Sequence, residues 1–129
     1  MEKKVVDSLD GVLFRLYPSE VDNPSLAYPI CKLGANLIGK LLECVGDCVE
    51  EVYLEGRSLS RLSNSLDLIL IPKIEEDSIV RRLRNHNWFY EDQVCFNISR
   101  NGLGMIFGDY LTIHVTFMTN EEFESYLKN

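Results

Sequence analysis

Glu55-Gly56-Arg57-Ser58-Leu59-Ser60-Arg61-Leu62-Ser63-Asn64-Ser65-Leu66-Asp67-Leu68-Ile69-Leu70-Ile71-Pro72 joins one β-rich run to the most apolar run in the chain. Val49 to Leu54 reads as a strand that ends at Glu55-Gly56, and a serine- and arginine-rich stretch follows. Leu66 to Ile71 is apolar on successive residues apart from Asp67, the pattern of a central strand. Pro72 ends it, because proline has no N–H to continue a ladder. The segment is therefore a strand, a polar loop and a second strand with one carboxylate near its beginning.

Working outward, Gly11 to Tyr17 alternates around Val12, Phe14 and Leu16 and reads as an earlier strand ended by Pro18. Residues 18–30 hold three prolines, Pro18, Pro24 and Pro29, and form a turn-rich connection. From Cys31 to Val45, Leu33, Leu37, Ile38, Leu41, Leu42 and Val45 share one face of a helix that Gly46 stops. Downstream, Glu75, Glu76 and Asp77 favour a helix start by complementing the dipole. Ile79, Val80 and Leu83 supply that helix's stripe, and Asn85 ends it. Trp88-Phe89-Tyr90 and Val94 to Ser99 read as a strand pair or a bulged strand, and Asn101-Gly102 signals a hairpin turn. Tyr110 to Met118 alternates Leu111, Ile113, Val115 and Phe117 with Thr112, His114 and Thr116. Thr119-Asn120-Glu121-Glu122 is a capping box for a last helix that turns Phe123, Tyr126 and Leu127 inward. The order β, α, β, β, α, β, β, α predicts an α+β fold, a small mixed β-sheet with helices packed on it.

With 129 residues, one domain over 1–129 is expected. Hydrophobic residues make up 46% and charged residues 26%, which is ordinary for a folded soluble chain and excludes wholesale disorder. The net charge of -7 and pI near 4.8 argue against extended nucleic-acid binding, which draws on clustered Lys and Arg. A nucleotide pocket needs only a few local cations and stays a candidate. No run is apolar and long enough to span a bilayer, and MEKKVVDSLD lacks the apolar core of a signal peptide. A cytoplasmic or nuclear setting without membrane association is expected. There Cys31, Cys44, Cys48 and Cys95 stay reduced, and the Asn97-Ile98-Ser99 sequon carries no meaning.

Nucleotidyl transfer calls for parts of the kind this segment supplies. A glycine and a serine after a strand let backbone N–H groups approach a triphosphate. Carboxylates two apart on the next strand point to one face and, with a third from a neighbouring strand, hold Mg²⁺ against the phosphates. Val49 to Ser58 followed by Leu66-Asp67-Leu68-Ile69-Leu70 resembles the glycine-serine loop and acid-bearing strand of the nucleotidyltransferase superfamily. Within that superfamily it is similar to GrpB-like proteins. Gly56-Arg57-Ser58-Leu59-Ser60-Arg61-Leu62 resembles their phosphate loop, Leu42 to Asp47 the end of their preceding helix, and Ile113-His114-Val115 their Leu-His-Val strand. Asn87-Trp88-Phe89-Tyr90 is placed like their Gly-Tyr segment. The DNA polymerase beta-like palm offers the same element order. These resemblances imply a palm-like nucleotidyltransferase fold, Gly56, Arg57, Ser58 and Arg61 as nucleotide-binding residues, and Asp67 and His114 as catalytic residues. Asp67 would be the metal ligand and Mg²⁺ the cofactor if the chain is active.

Departures from the family pattern are equally specific. Ser65 stands at the first acid of an acid-x-acid pair and Asp67 at the second, while His114 falls where the third acid lies. Arg57 splits the glycine-serine pair. The expected function is thus a catalytically degenerate domain that serves as a protein-interaction or accessory subunit, with a protein partner and no cofactor. An active enzyme using NTP and Mg²⁺ is the alternative.

Each of these residues also has a plainer reading. Asp67 can cap loop amides or pair with Arg57 or Arg61, and His114 can be simply hydrogen-bonded or solvated. Arg57 and Arg61 with Ser58, Ser60 and Ser63 can cradle an anion or form a solvated loop. Arg81, Arg82 and Arg84 read as a solvated helix face. Cys44 and Cys48 lack the partners of a zinc site and read as buried thiols. Trp88, Phe89 and Tyr90 read as core, or as a protein-binding edge.

Overall fold

The computed structural model describes residues 13–16, 32–56, 65–86, 94–99, 102–107 and 111–128. Among the described residues, six strands form one mixed sheet. They are β1 (Leu13–Leu16), β2 (Val49–Glu55), β3 (Ser65–Pro72), β4 (Val94–Ser99), β5 (Gly102–Phe107) and β6 (Leu111–Phe117), in the spatial order β1-β2-β3-β6-β5-β4. Only the β3–β6 pair is parallel; its neighbours β2–β3 and β5–β6 are antiparallel. Among the described residues, three α-helices accompany the sheet: α1 (Lys32–Val45), α2 (Glu76–Arg84) and α3 (Asn120–Lys128). The fold class is α+β, as the sequence predicts.

Helix α1 buries Leu37, Ile38, Leu41, Leu42 and Val45, the predicted stripe, and gives way at Gly46 to a 3₁₀ turn over Gly46–Cys48. Each such side chain contributes about 1.5–3 kcal/mol when removed from water. Helix α2 buries Ile79 and Leu83 against the same side of the sheet. Its first turn carries Glu76 and Asp77 and its last turn Arg81, Arg82 and Arg84, so both ends complement the helix dipole. The strands meet these helices with Phe14, Leu16, Val52, Leu54, Leu66, Leu68, Leu70, Met105, Ile113 and Val115, the main core.

Among the described residues, the opposite face is covered over only part of its width. Phe123 of α3 packs with Ile69 and Ile71 of β3, beside Leu13, Tyr53 and Met118. A reciprocal capping box starts α3: the Glu122 N–H donates to Thr119 Oγ1 at 3.1 Å, and the Thr119 N–H donates to Glu122 Oε1 at 3.0 Å. Tyr126 and Leu127, expected to face inward, are exposed. A nine-residue helix laid on a sheet buries a single turn's anchor here, and Phe123 fills that place.

Strand β5 was not expected. The hairpin signalled at Asn101-Gly102 is present as the antiparallel β4–β5 pair, but Gly102 is the first residue of its second strand, paired with Ser99. A strand of sequence GLGMIF has two glycines at positions where alternation would otherwise show. The aromatic stretch at 88–90, Val12 of the first strand and the loop at 57–64 lie outside the described residues.

Candidate functional site

Alternation fixes what the open face carries. In β3, Leu66, Leu68 and Leu70 enter the core, so Ser65 and Asp67 turn to the opposite side with Ile69. In β6, Ile113 and Val115 enter the core, so Thr112, His114 and Thr116 turn the same way. Parallel register then sets Ser65 opposite Thr112 and Asp67 opposite His114. The two residues predicted to act together are thus brought side by side, Asp67 half-buried and His114 exposed.

Beyond His114 the same row continues to Gly104 of β5 and Asn97 of β4. A side chain at Gly104 would begin 3.7 Å from His114 Nδ1, so its absence leaves room beside the imidazole. At Gly102 an added Cβ would collide with the Val115 carbonyl oxygen. The two glycines floor a concavity of about 160 Å³ walled by Asn97, His114 and Thr116.

On the other side of Asp67, Glu55 shares the open face, flanking the Leu54–Leu68 pair of the β2–β3 ladder. Sequence reasoning passed over this second carboxylate. Tyr126 of α3 donates its hydroxyl to Glu55 Oε1 at 2.7 Å, which draws the acid toward the covered half of the sheet. Further along, the Tyr53 hydroxyl donates to Glu51 Oε2 at 2.6 Å, Arg15 stands 3.9 Å from Glu51, and the Tyr53 ring stacks on Phe123 at 4.5 Å. Gly56 is buried at the end of this strand, while Arg57, Ser58 and Arg61 lie outside the described residues. Asn97, Gly102 and Gly104 were not read as site residues from the sequence either. Glycines two apart around Leu103 are the one signal that this face of β5 lacks side chains.

As a donor set for Mg²⁺ the described residues fit poorly. Mg²⁺ holds oxygen ligands in near-octahedral geometry, and Asp67 is flanked by His114, by Ser65 and by Glu55, whose Oε1 accepts a hydrogen bond from Tyr126. Among the described residues, no three His, Cys, Asp or Glu side chains converge on one point.

A second cluster lies on the helical side. Ser78, Arg81, Arg82 and Asn85 recur at helical spacing on α2 and, with His86 and Cys44, line an open groove of about 450 Å³. Arg82 Nη1 lies 2.8 Å from Asp47 Oδ1 and donates more weakly to the Cys44 carbonyl at 3.5 Å. Hydrogen bonding from the Cys48 thiol, aided by Arg82, lowers the Asp47 pKa. Burial pushes the Cys44 thiol up to about 11 and also raises Cys48, favouring the protonated thiol at both. Cys44, Cys48 and Cys95 are free thiols; Cys48 is buried as expected, whereas Cys44, expected to be buried too, is only half-buried. The three arginines of α2 are exposed, the solvated face read from the sequence.

No protein-family model, no curated protein and no solved structure matches this chain. No helix among the described residues is long and apolar enough to cross a membrane.

Proposed function

We propose that this chain is a nucleotidyltransferase-like domain, of the GrpB-like or DNA polymerase beta-like palm kind, that lacks the metal chemistry and works as a protein-interaction or accessory subunit. The observation that carries this reading is the β3–β6 register, which sets Ser65 against Thr112 and Asp67 against His114. A two-metal transfer site needs carboxylate oxygens at three places on this surface. One carboxylate, one hydroxyl and one imidazole occupy them. Two further acids of the face are engaged elsewhere, Glu55 by Tyr126 and Glu51 by Tyr53 and Arg15. What persists is a scaffold: a rigid central strand pair, a floor of two glycines and an exposed polar face.

Adjacency of Asp67 and His114 favours one second reading, an active enzyme taking NTP and Mg²⁺ with the loop from Gly56 onward holding the phosphates. Incubation of the protein with each NTP and Mg²⁺ or Mn²⁺ separates the two. The degenerate domain gives no metal-dependent turnover. Turnover that disappears in Asp67→Ala overturns it and establishes the enzyme.

A further inference from the structure

Edge strands expose a row of unpaired backbone N–H and C=O groups, and folded proteins usually guard them with Lys, Pro, a bulge or a cover. The two edges of this sheet differ in this respect. Strand β1 is four residues long and carries Arg15 in its middle. Strand β4 is six residues, Val94-Cys95-Phe96-Asn97-Ile98-Ser99, with no charge and no proline, and its inner neighbour β5 has none either. Both strands pair in continuous register without a bulge from Val94–Phe107 to Ser99–Gly102. Among the described residues nothing lies along the outer side of β4.

Side chains beside this edge are equally unguarded. Ile98 faces the helical side, opposite buried Leu103, yet is 51% exposed. Phe96 packs only partly against the core, and the Arg84 guanidinium of α2 sits 5.9 Å from its ring centroid. Arg81 stands one turn earlier on the same helix. A cation is thus held over an apolar ledge at an open edge, on a chain whose net charge is -7.

Resting on the reading of the domain as a protein-interaction module, we infer that the outer edge of β4 is the docking surface, and that its occupant is an extended, acidic segment of a partner chain. The segment adds to the sheet as a seventh strand, with main-chain hydrogen bonds supplying affinity and alternate side chains supplying specificity. Apolar residues on alternate positions cover Phe96 and Ile98. A carboxylate at the end nearest α2 meets Arg84, where a partly desolvated charge pair is stronger than at an open surface. An acidic segment suits this place because Arg84, with Arg81 one turn earlier, presents positive charge beside Phe96.

The test is a selection of random ten-residue linear peptides displayed on phage against the whole protein, followed by binding of the enriched peptides in solution. The proposal expects peptides with apolar residues two apart and at least one Asp or Glu. Their binding falls tenfold or more in Ile98→Lys and in Arg84→Glu, and it returns in Arg84→Glu when the peptide acid is changed to Lys. Circular dichroism of each variant checks that it is folded, since both side chains are exposed. Peptides insensitive to both substitutions, or mapping to Asp67 and His114, overturn the β4 assignment while leaving the interaction reading intact. Enrichment of nothing overturns it as well. Sedimentation showing a dimer of this chain that Ile98→Lys dissociates overturns it too, by giving the edge to a second copy. None of these results depends on nucleotide turnover, so failure here and failure of the degenerate-enzyme reading are told apart.

Discussion

At Gly102 a single methyl group decides whether two strands can lie at their observed spacing. Its Cβ would strike the Val115 carbonyl oxygen, which belongs to a ladder that cannot move without disturbing β6. Gly102→Ala is expected to lower stability by about 1–3 kcal/mol, the usual cost of overpacking. Gly104→Ala meets the Asn97 carbonyl oxygen only at 3.4 Å and should cost visibly less, while narrowing the space beside His114. Urea denaturation of the two variants checks both the sign and the order. Cys44 gives a pH prediction. Its folded pKa of about 11 exceeds the 9.0 of a free thiol, so across that window the folded chain holds a proton the unfolded chain has released. Stability therefore falls with rising pH from about 9 to about 11, and below about 9 the thiol contributes no pH dependence. In Cys44→Ala this part of the alkaline decline should vanish, read as the urea midpoint against pH. An unchanged slope would put the decline elsewhere.

Elements differ in how far their own residues specify them. Strand β6 was legible because its alternation is unbroken, and the capping box before α3 was legible because its two hydrogen bonds are local. Thr119→Ala should cost about 1 kcal/mol by removing one of them, measured as a lowered melting temperature with the sheet signal intact. Strand β5 was hidden because Gly102 and Gly104 remove the side chains that reveal a period of two. Tyr126 and Leu127 have the spacing of an inward face, but α3 has only the edge of a small second cluster to cover. The candidate site divides in the same way. Asp67 and His114 stand out singly, an acid and an imidazole in apolar strands. Their adjacency rests on β3 pairing in parallel with β6, a choice made by the crossover through α2 and by the whole sheet order, which neither strand encodes alone. Glu55 was overlooked because its partner, Tyr126, lies 71 residues away.

Across the whole molecule, the sheet is a partition. Among the described residues, one face is covered by α1 and α2 over the large core; the other is half-closed by α3, beside a polar row from Asp67 to Asn97. Leu68 and Leu70 lie at the centre of this partition, buried among residues from both sides of the sheet order. Leu70→Ala should cost about 2–5 kcal/mol, a large part of the roughly 5–15 kcal/mol that holds a domain folded. Chemical denaturation reads that loss directly. Asp67→Asn, by contrast, should leave the midpoint within about 1 kcal/mol, because the acid is half-buried at the beginning of its strand rather than sealed within it. The central claim is that this partition presents a nucleotide-site scaffold without the metal chemistry. Thermal unfolding of the whole chain, alone and with each NTP plus Mg²⁺, tests it most directly. A ligand at a hundredfold its Kd adds about 2.7 kcal/mol, on the order of ten degrees for a chain of this size. The account predicts an unchanged melting temperature with every nucleotide. A rise of several degrees that requires Mg²⁺ and is lost in Asp67→Ala would contradict it.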